Sequence, residues 1–348
     1  MNISNKKRLN RISGGGRVFI IAEAGVNHNG SFSLAKKMII AAKKAGADAV
    51  KFQTFKADKL VTATAPKAYY QKKRDSGKTQ LDMLKKLELS GDEFRQLKAY
   101  CGKIGIMFLS TPFDTESAQY LDRIGMKAFK ISSGDLTNIP FLSQVAKYKK
   151  PIILSTGMAT LEEVMDAVNA VHSAGNRKLT LLHCTSNYPT VPEDVNLLAM
   201  KTLKDRFNVP VGYSDHTEGV DIPVAAAAIG AVVIEKHFTL DKKMPGPDNS
   251  ISLEPKELRA MIASIRRIEK ALGDGRKTPR RSEMKMRSIA RKSVVARVSI
   301  SKGTRITGDM LSIKRPGTGV APKYLNRIIG KKAKRDISPD SVIDRSQI

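Results

Sequence analysis

Short runs of β-branched and other apolar residues recur along about the first 240 positions of the chain, and each predicts a β-strand. Between them lie segments whose apolar residues are spaced three and four positions apart, which is typical of helices with one buried face. This alternation of strand and helix predicts an α/β fold. The predicted strands occupy residues 17–22, 47–53, 105–110, 127–132, 151–155, 178–184, 209–214 and 231–237.

The helical segments carry start and stop signals. Residues 31–46 begin with a capping serine and end in glycine, and residues 160–175 begin with threonine followed by acidic residues. Residues 254–273 supply the eighth helix. Eight strand–helix units in about 260 residues predict a (β/α)8 TIM barrel. A doubly wound sheet is disfavoured because no glycine-rich loop follows a strand, and the glycines of 13–17 precede one.

The pattern changes after the eighth helix. Residues 273–292 are basic, start with glycine and proline, and show little apolar order, so they predict a linker. Residues 293–348 alternate β-branched residues with turn signals and predict a small, mostly β module. The expected organisation is a barrel over 1–272, a linker over 273–292 and the β module over 293–348.

The composition is that of an ordinary globular protein, with 41% hydrophobic and 27% charged residues. The apolar, uncharged stretch of residues 222–234 is too short to span a bilayer, and no apolar segment follows the basic residues at the start. The two cysteines have no metal-binding spacing. We therefore expect a cytoplasmic protein that does not associate with a membrane.

The net charge of +28 is unevenly distributed, because residues 276–348 hold 20 Lys and Arg against 5 Asp and Glu. Such a basic region is compatible with a nucleic acid, a membrane surface, an anionic small substrate or a solubilising surface. Aromatic residues make up only 5% of the chain and tryptophan is absent, so platforms for stacking on bases are few. No nucleic-acid partner is expected.

Polar residues stand at the end of every predicted strand, which is where a barrel of this kind carries its chemistry. Lys51 and Lys130 lie within otherwise apolar strands. They can form structural ion pairs with Glu23 or Glu235, or they can bind an anion together with nearby hydroxyl groups. The number of serine and threonine residues at the strand ends favours the anion site, while a Schiff-base lysine stays open.

Two histidines, His216 and His237, follow adjacent predicted strands and are one strand–helix unit apart. They can bind one divalent ion, with Glu23 or water as a further ligand, or they can be hydrogen-bonded structural residues. A hydrolytic triad of Ser214, Asp215 and His216 is disfavoured. Consecutive strand residues point to opposite faces, and triads are built from positions distant in sequence.

Ten ordered motifs resemble those of the sialic acid synthase family: IAEAGVNHNG, DAVKFQT, FLSTPFD, KISSGD, ILSTGM, LLHCTSNYPT, GYSDHT, EKHFTLD, PGPDNSISLEP and KRPGTG. Members of that family condense phosphoenolpyruvate with an N-acylated amino sugar to form nonulosonic acids. They join a (β/α)8 barrel to a C-terminal SAF domain, which is similar to type III antifreeze protein. The resemblance covers essentially the whole chain and implies the same fold and reaction here.

The resemblance also implies roles for individual residues. A divalent metal, Mn²⁺ or Mg²⁺, would be held by His216 and His237, and Glu23 would handle protons. The family forms a domain-swapped homodimer, in which Arg315 would enter the partner's barrel mouth and contact the sugar. Phosphoenolpyruvate would lie near Lys51, Thr111, Lys130, Ser133, Ser155, Ser186 and Ser214. The sugar would lie near Glu23, Gln53, Asp135, Tyr188 and Asp248.

Some positions depart from the family pattern. Asp135 stands where many sialate-forming members have glutamate, Ser186 replaces an asparagine found in some, and residues 289–291 lack an aromatic residue. The insert 65–90 looks more like that of members that make legionaminic acid. The acceptor is therefore open between N-acetylmannosamine, its 6-phosphate and a 2,4-diacetamido-trideoxy hexose. A lysine-dependent aldolase and a polyanion-binding protein are the alternatives from other classes.

Overall fold

The computed structural model of the protein describes residues 9–67 and 79–348, so part of the insert 65–90 lies outside the described residues. Within this range every predicted barrel strand is present, generally beginning one or two residues later than its apolar run. The strands are β1 Phe19–Gly25, β2 Ala49–Thr54, β3 Met107–Pro112, β4 Phe129–Ile131, β5 Ile152–Ser155, β6 Leu179–Cys184, β7 Val211–Asp215 and β8 Val233–His237.

These eight strands form one parallel sheet in the order β3-β2-β1-β8-β7-β6-β5-β4. The first strand therefore lies between the second and the eighth, which brings the two ends of the series together. Strands β3 and β4, at the two ends of the hydrogen-bonded order, also pack against each other. The sheet closes into a barrel, and the predicted TIM-barrel fold is confirmed.

Helices follow the strands and cover the outside of the sheet. Ser31 and Thr160 cap their helices with side-chain hydrogen bonds, as their sequence positions predict. The helices of this part are α1 Phe32–Ala45, α2 Ala57–Leu60, α3 Gln80–Lys85, α4 Gly91–Ile104, α5 Thr115–Arg123, α6 Ile139–Ala146, α7 Leu161–Ser173, α8 Ala199–Phe207, α9 Asp221–Ala228 and α10 Pro255–Leu272.

The barrel interior is apolar near the amino ends of its strands. A helical turn over residues 9–12 contributes Ile12, which is fully buried among Phe19, Ile21 and other inward apolar residues. The hydroxyl of Thr180 donates to the carbonyl oxygen of Ile12 at 2.8 Å. The buried charged residues Glu23, Lys51, Lys130 and Glu235 lie instead toward the carboxyl ends of their strands. The fold thus gathers the candidate functional groups at that end of the barrel.

The chain divides into two compact units, residues 1–273 and 274–348. The second unit contains α11 Met284–Ala290, which lies in the segment predicted as a linker, and the antiparallel strands β9 Ser293–Ala296 and β10 Leu311–Lys314. Its separate apolar core includes Val294, Ile306 and Ile337. In the described part of the chain, no helix is both long enough and apolar enough to cross a bilayer.

Candidate active site at the carboxyl ends of the barrel strands

Glu23 and Lys51 stand in register on β1 and β2, and both are buried at the barrel mouth. The Nζ atom of Lys51 lies 2.8 Å from Oε2 of Glu23. It also donates a hydrogen bond of 2.9 Å to Oγ1 of Thr111. One ammonium group therefore links a carboxylate to a hydroxyl, both of which were predicted to belong to the site.

Glu235 connects the two buried lysines. Its Oε2 atom lies 3.7 Å from Nζ of Lys51, and its Oε1 atom lies 3.6 Å from Nζ of Lys130. Ser214, its register partner on β7, donates to Oε1 at 3.0 Å. Lys130 donates to Oγ of Ser155 at 2.6 Å. With Glu23 and Thr111, residues from seven different strands are thereby joined in a single polar cluster.

Burial and mutual attraction set the ionisation of this cluster. Burial raises the pKa of Glu23 to about 7, although the Lys51 ammonium acts in the opposite direction. Burial also disfavours the charged forms of Lys51 and Glu235. For Lys51, the two glutamates outweigh burial and raise its pKa. For Glu235, Lys130 and Lys51 outweigh burial and lower its pKa. Near neutral pH, Glu23 is therefore the group best placed to exchange a proton.

Ser133 and Ser186 meet around Gly157, in the loop that follows β5. The hydroxyl of Ser133 accepts a hydrogen bond of 3.0 Å from the backbone N–H of Gly157. Any side chain at Gly157 would overlap the hydroxyl oxygens of both serines. The glycine thus allows two hydroxyls and the backbone to converge, as in a cradle for an oxyanion.

The two histidines predicted to bind a metal face each other, with ring centroids 5.6 Å apart. Nδ1 of His216 lies 2.7 Å from the carbonyl oxygen of Thr185, which can only accept, so this nitrogen carries a proton. In the neutral ring Nε2 then keeps its lone pair. Burial, together with His216, holds the pKa of His237 well below its ordinary value. His237 is therefore held in the neutral form that ligates divalent ions, whereas for His216 the nearby Cys184 outweighs burial and raises the pKa.

Asp248 completes the environment of His237. Its Oδ2 atom lies 3.9 Å from Nδ1 of His237, and burial raises its pKa to about 6. Both His237 Nδ1 and Asp248 Oδ1 are buried without a hydrogen-bond partner in the structure. Within residues 9–67 and 79–348, no three His, Cys, Asp or Glu side chains are grouped to enclose a metal ion.

Gln53 and Tyr188, two of the residues predicted to contact the sugar, lie beside the histidines. The ring of Tyr188 is 4.0 Å from that of His216 and meets that of His237 edge-on at 5.9 Å. A Cβ atom on Gly25 would lie 3.5 Å from Nε2 of Gln53 and 3.6 Å from Cε1 of His237. Gly25 has a φ of 51°, a backbone conformation that favours glycine. The position that a Cβ atom would occupy is surrounded by side chains of predicted site residues.

Asp135 and Arg315 are two further residues predicted to contact the sugar. Asp135 lies in a 3₁₀ turn over Ser133–Asp135, and its carboxylate accepts hydrogen bonds from Ser132 at 3.0 Å and Asn138 at 3.3 Å. Arg315 is exposed in the second unit. Its contact with a sugar stays a prediction.

Glu235 is the residue whose place in the site the sequence interpretation missed. It was considered only as an ion-pair partner for a buried lysine, yet it bridges both lysines and Ser214. The signal was present, because two ammonium groups in apolar strands require a buried acid nearby.

Comparisons with known proteins identify the family. The NeuB family model matches residues 38–277, and the SAF domain model matches residues 291–348. The N,N'-diacetyllegionaminic acid synthase of Legionella pneumophila is 48% identical over 330 residues, covering 93% of each chain. The N,N'-diacetyllegionaminic acid synthase of Campylobacter jejuni is 49% identical over 330 residues, covering 94% of this chain and 99% of its own.

A solved structure gives the same result. The crystal structure of N-acetylneuraminic acid (sialic acid) synthetase from Leptospira borgpetersenii, in complex with citrate, aligns with a TM-score of 0.69 and 39% identity. The alignment covers 78% of this chain and 90% of that one. The resemblance seen in the motifs is confirmed, and the chain belongs to the NeuB family and carries a C-terminal SAF domain.

Proposed function

We propose that the protein is a nonulosonic acid synthase, which condenses phosphoenolpyruvate with an N-acylated amino sugar and releases phosphate. The observation that carries this proposal is the buried Lys51–Glu235–Lys130 bridge at the same barrel mouth as the facing histidines. An anion site and a pair of facing imidazoles that can hold a metal ion are the two components that such a condensation requires.

The lysine cluster is suited to hold phosphoenolpyruvate. A buried ammonium attracts phosphate and carboxylate groups strongly because little water screens it. Glu235 keeps Lys51 and Lys130 close together without the cost of two unpaired buried charges. The hydroxyl groups that would complete the anion site belong to Thr111, Ser133, Ser155, Ser186 and Ser214.

His216 and His237 would hold a divalent ion, Mn²⁺ or Mg²⁺. The fit is supported by the unpartnered buried atoms His237 Nδ1 and Asp248 Oδ1, and by the hydrogen bond that fixes the His216 ring. When bound, the ion would act as a Lewis acid on the aldehyde oxygen of the open-chain sugar. Gln53, Asp135, Tyr188 and Asp248 would orient that sugar.

The reaction would proceed by carbon–carbon bond formation followed by loss of phosphate. C3 of phosphoenolpyruvate attacks the aldehyde carbon, and positive charge develops at C2. Water adds to C2 and gives one proton to Glu23, whose pKa of about 7 suits this exchange, and Glu23 passes a proton on to the former aldehyde oxygen, which becomes a hydroxyl group. The bond between C2 and the phosphate oxygen then breaks. The new C2 hydroxyl gives its proton to the leaving phosphate and becomes the ketone, while Lys51 and Lys130 stabilise that phosphate.

A 2,4-diacetamido-trideoxy hexose is the acceptor we propose, which would make the product a diacetyllegionaminic acid. Two legionaminic acid synthases share 48% and 49% identity with this chain, against 39% for the sialic acid synthetase of known structure. Asp135 in place of glutamate points the same way. N-Acetylmannosamine is the second candidate, because the sialic acid synthetase shares the fold over most of its length.

A phosphate-release assay tests both the reaction and the acceptor. The purified protein is incubated with phosphoenolpyruvate and each candidate sugar, with Mn²⁺ or after chelation. We expect release only when phosphoenolpyruvate, a sugar and the metal are all present, and the highest kcat/KM with the diacetamido sugar. Absence of release with every sugar at saturating phosphoenolpyruvate and Mn²⁺ would contradict the proposal.

A Schiff-base aldolase is the rival reaction, and one observation favours it. Burial lowers the pKa of Lys130, as a nucleophilic lysine requires. Lys130 is nevertheless bonded to Ser155 and lies beside Glu235, which suits a fixed ammonium. Borohydride added during turnover should therefore leave the intact mass unchanged. A reduced adduct on Lys130 or Lys51 would replace the synthase mechanism with the aldolase one.

We also propose a domain-swapped homodimer in which Arg315 reaches the partner's barrel mouth. Arg315 is exposed, and among the described residues it takes part in no ion pair. Helix α11 in the same unit exposes Met284, Met286 and Ile289, each at least half accessible. Apolar side chains exposed in this number are suited to burial against a second copy.

The cysteines support a cytoplasmic location. Cys101 and Cys184 are both free thiols and both buried. Free buried thiols persist in a reducing compartment. The proposed location is therefore the cytoplasm.

A further inference from the structure

Lys236 is a fully buried cation that the proposed chemistry does not use. Its neighbours along β8, Glu235 and His237, point into the barrel mouth, so the alternation of the strand turns Lys236 to the other face. Its side chain is only 1% exposed. Asp215 on β7 is in register with it and is likewise buried on that face.

The contacts of Lys236 converge on the residues on either side of His216. Its Nζ atom donates to Oδ2 of Asp215 and to the carbonyl oxygen of Thr217, each at 2.5 Å. Asp215 in turn accepts the backbone N–H of Thr217 at 3.0 Å and its hydroxyl at 2.9 Å. His216 lies between these two held residues, and its own carbonyl accepts the N–H of Thr190 at 2.9 Å.

Stability alone does not explain this arrangement. A buried ion pair is often no more stabilising than apolar residues of similar size, because both charges lose their hydration. A buried ion pair differs from apolar packing in being directional, because its ammonium donates hydrogen bonds only to acceptors held at suitable positions around it. Here the acceptors belong to Asp215 and Thr217, on either side of His216, while the ammonium is adjacent in sequence to His237.

We infer that Lys236 and Asp215 form a positioning pair that fixes the loop after β7, so that His216 faces His237. The inference rests on the proposed function to the extent that the histidines hold a metal. Both residues lie on the face of their strands opposite to Ser214, Glu235 and His237. The pair holds the backbone of Thr217 in place, and the position of Thr217 in turn sets the separation between the imidazoles of His216 and His237.

Metal binding to metal-free protein tests this role without an activity assay. Lys236→Met keeps the length of the side chain but removes the ammonium, and we expect titration calorimetry to show Mn²⁺ affinity reduced about 10- to 100-fold. The double variant Lys236→Met/Asp215→Asn leaves no unpaired buried charge and serves if the single variant does not fold. It should show the same loss of affinity, since the Thr217 carbonyl still lacks its donor.

Arg266→Met is the matched control. Arg266 donates to the carbonyl of Val18 at 2.9 Å and to Asp48 at 3.1 Å, near the amino ends of the strands. Its loss should lower the unfolding temperature but leave Mn²⁺ affinity unchanged. Wild-type Mn²⁺ affinity in folded Lys236→Met, or in the double variant, would overturn the inference.

Amide hydrogen exchange separates failure of this inference from failure of the proposed function. The N–H groups of Thr190 and Thr217 report the held loop directly, with no metal present. Both should exchange faster in the Lys236 variants than in wild type and in Arg266→Met. If the wild-type protein bound no Mn²⁺, the metal assignment would fall, while faster exchange would still support the positioning pair. Unchanged exchange at both amides would refute it.

Discussion

Oε2 of Glu23 lies 2.8 Å from Nζ of Lys51, with the two residues in register on adjacent strands and both buried. A buried acid and base at this distance are usually taken to be permanently ionised. Here burial raises the pKa of Glu23 to about 7, while Lys51 is also attracted by Glu235 and keeps its charge. The pair therefore provides a titrating carboxyl beside a constant cation.

The pKa of Glu23 predicts how stability depends on pH. Its ordinary value of 4.5 is raised to about 7 by folding, so the folded protein binds this proton more tightly than the unfolded chain. This tighter proton binding stabilises the folded state. The stabilisation is fully present below pH 4.5 and is lost as the pH rises to about 7. Between about pH 5 and 7.5 the free energy of unfolding of the wild-type protein should fall on the order of 2 kcal/mol through this group, and Glu23→Gln should remove that fall.

Urea unfolding of metal-free wild type and Glu23→Gln at the two pH values measures the difference. Asp248, whose pKa burial raises to about 6, acts in the same direction and remains in both proteins. Some decline with pH should therefore persist in the variant. An equal decline in the two proteins would show that Glu23 titrates near its ordinary value.

Lys130→Met should impair use of phosphoenolpyruvate. The substitution removes an ammonium that contacts Ser155 and lies beside Glu235, and it leaves Glu235 with only Lys51. We expect kcat/KM for phosphoenolpyruvate to fall by about 100-fold or more, with KM for the sugar changed little. Steady-state kinetics with each substrate varied in turn gives the two values.

A charge control is necessary because the chain carries a net charge of +28. Lys201→Met makes the same change on the exposed surface of α8, where Lys201 pairs with Asp205. It should behave as wild type. Equal effects of the two substitutions would indicate general attraction of the anion rather than a site at Lys130.

The barrel was predictable from sequence because its signals are local. Each strand is a short apolar run, and Ser31 and Thr160 cap the helices that they precede. The candidate members of the site were named largely from motif resemblance, and their roles stay predictions. The partners of these members were not predictable, because the registers Ser214–Glu235 and Asp215–Lys236 depend on how β7 and β8 align in space. Because side chains alternate between the two faces of a strand, the sequence predicted that Asp215 points away from the mouth. The structure was needed to identify Lys236 as its partner.

His237→Ala should abolish metal binding. Its Nδ1 is buried without a hydrogen-bond partner, and His216 alone would leave a single imidazole ligand. We expect a loss of Mn²⁺ affinity greater than the roughly 10- to 100-fold typical of residues that only support a ligand. Calorimetric titration measures it. His172→Ala, in helix α7, removes a histidine outside the mouth and should bind Mn²⁺ as wild type does. Tight binding by His237→Ala would exclude the histidine pair as the metal site.

Subunit complementation tests the domain-swapped contact of Arg315. Arg315→Ala should lower kcat/KM for the sugar more than for phosphoenolpyruvate, and His237→Ala should be inactive. In a swapped heterodimer of the two, the barrel of the Arg315→Ala subunit is completed by the intact C-terminal unit of the other. One of the two sites then carries no defect, so the heterodimer should show about half of wild-type activity.

Co-expression with two different affinity tags and sequential purification isolates the heterodimer. Each variant homodimer, carried through the same tags, is the control. If Arg315 served the barrel of its own chain, one site of the heterodimer would lack Arg315 and the other would lack His237. Activity would then stay at the level of the variant homodimers, which would place Arg315 outside the partner's mouth.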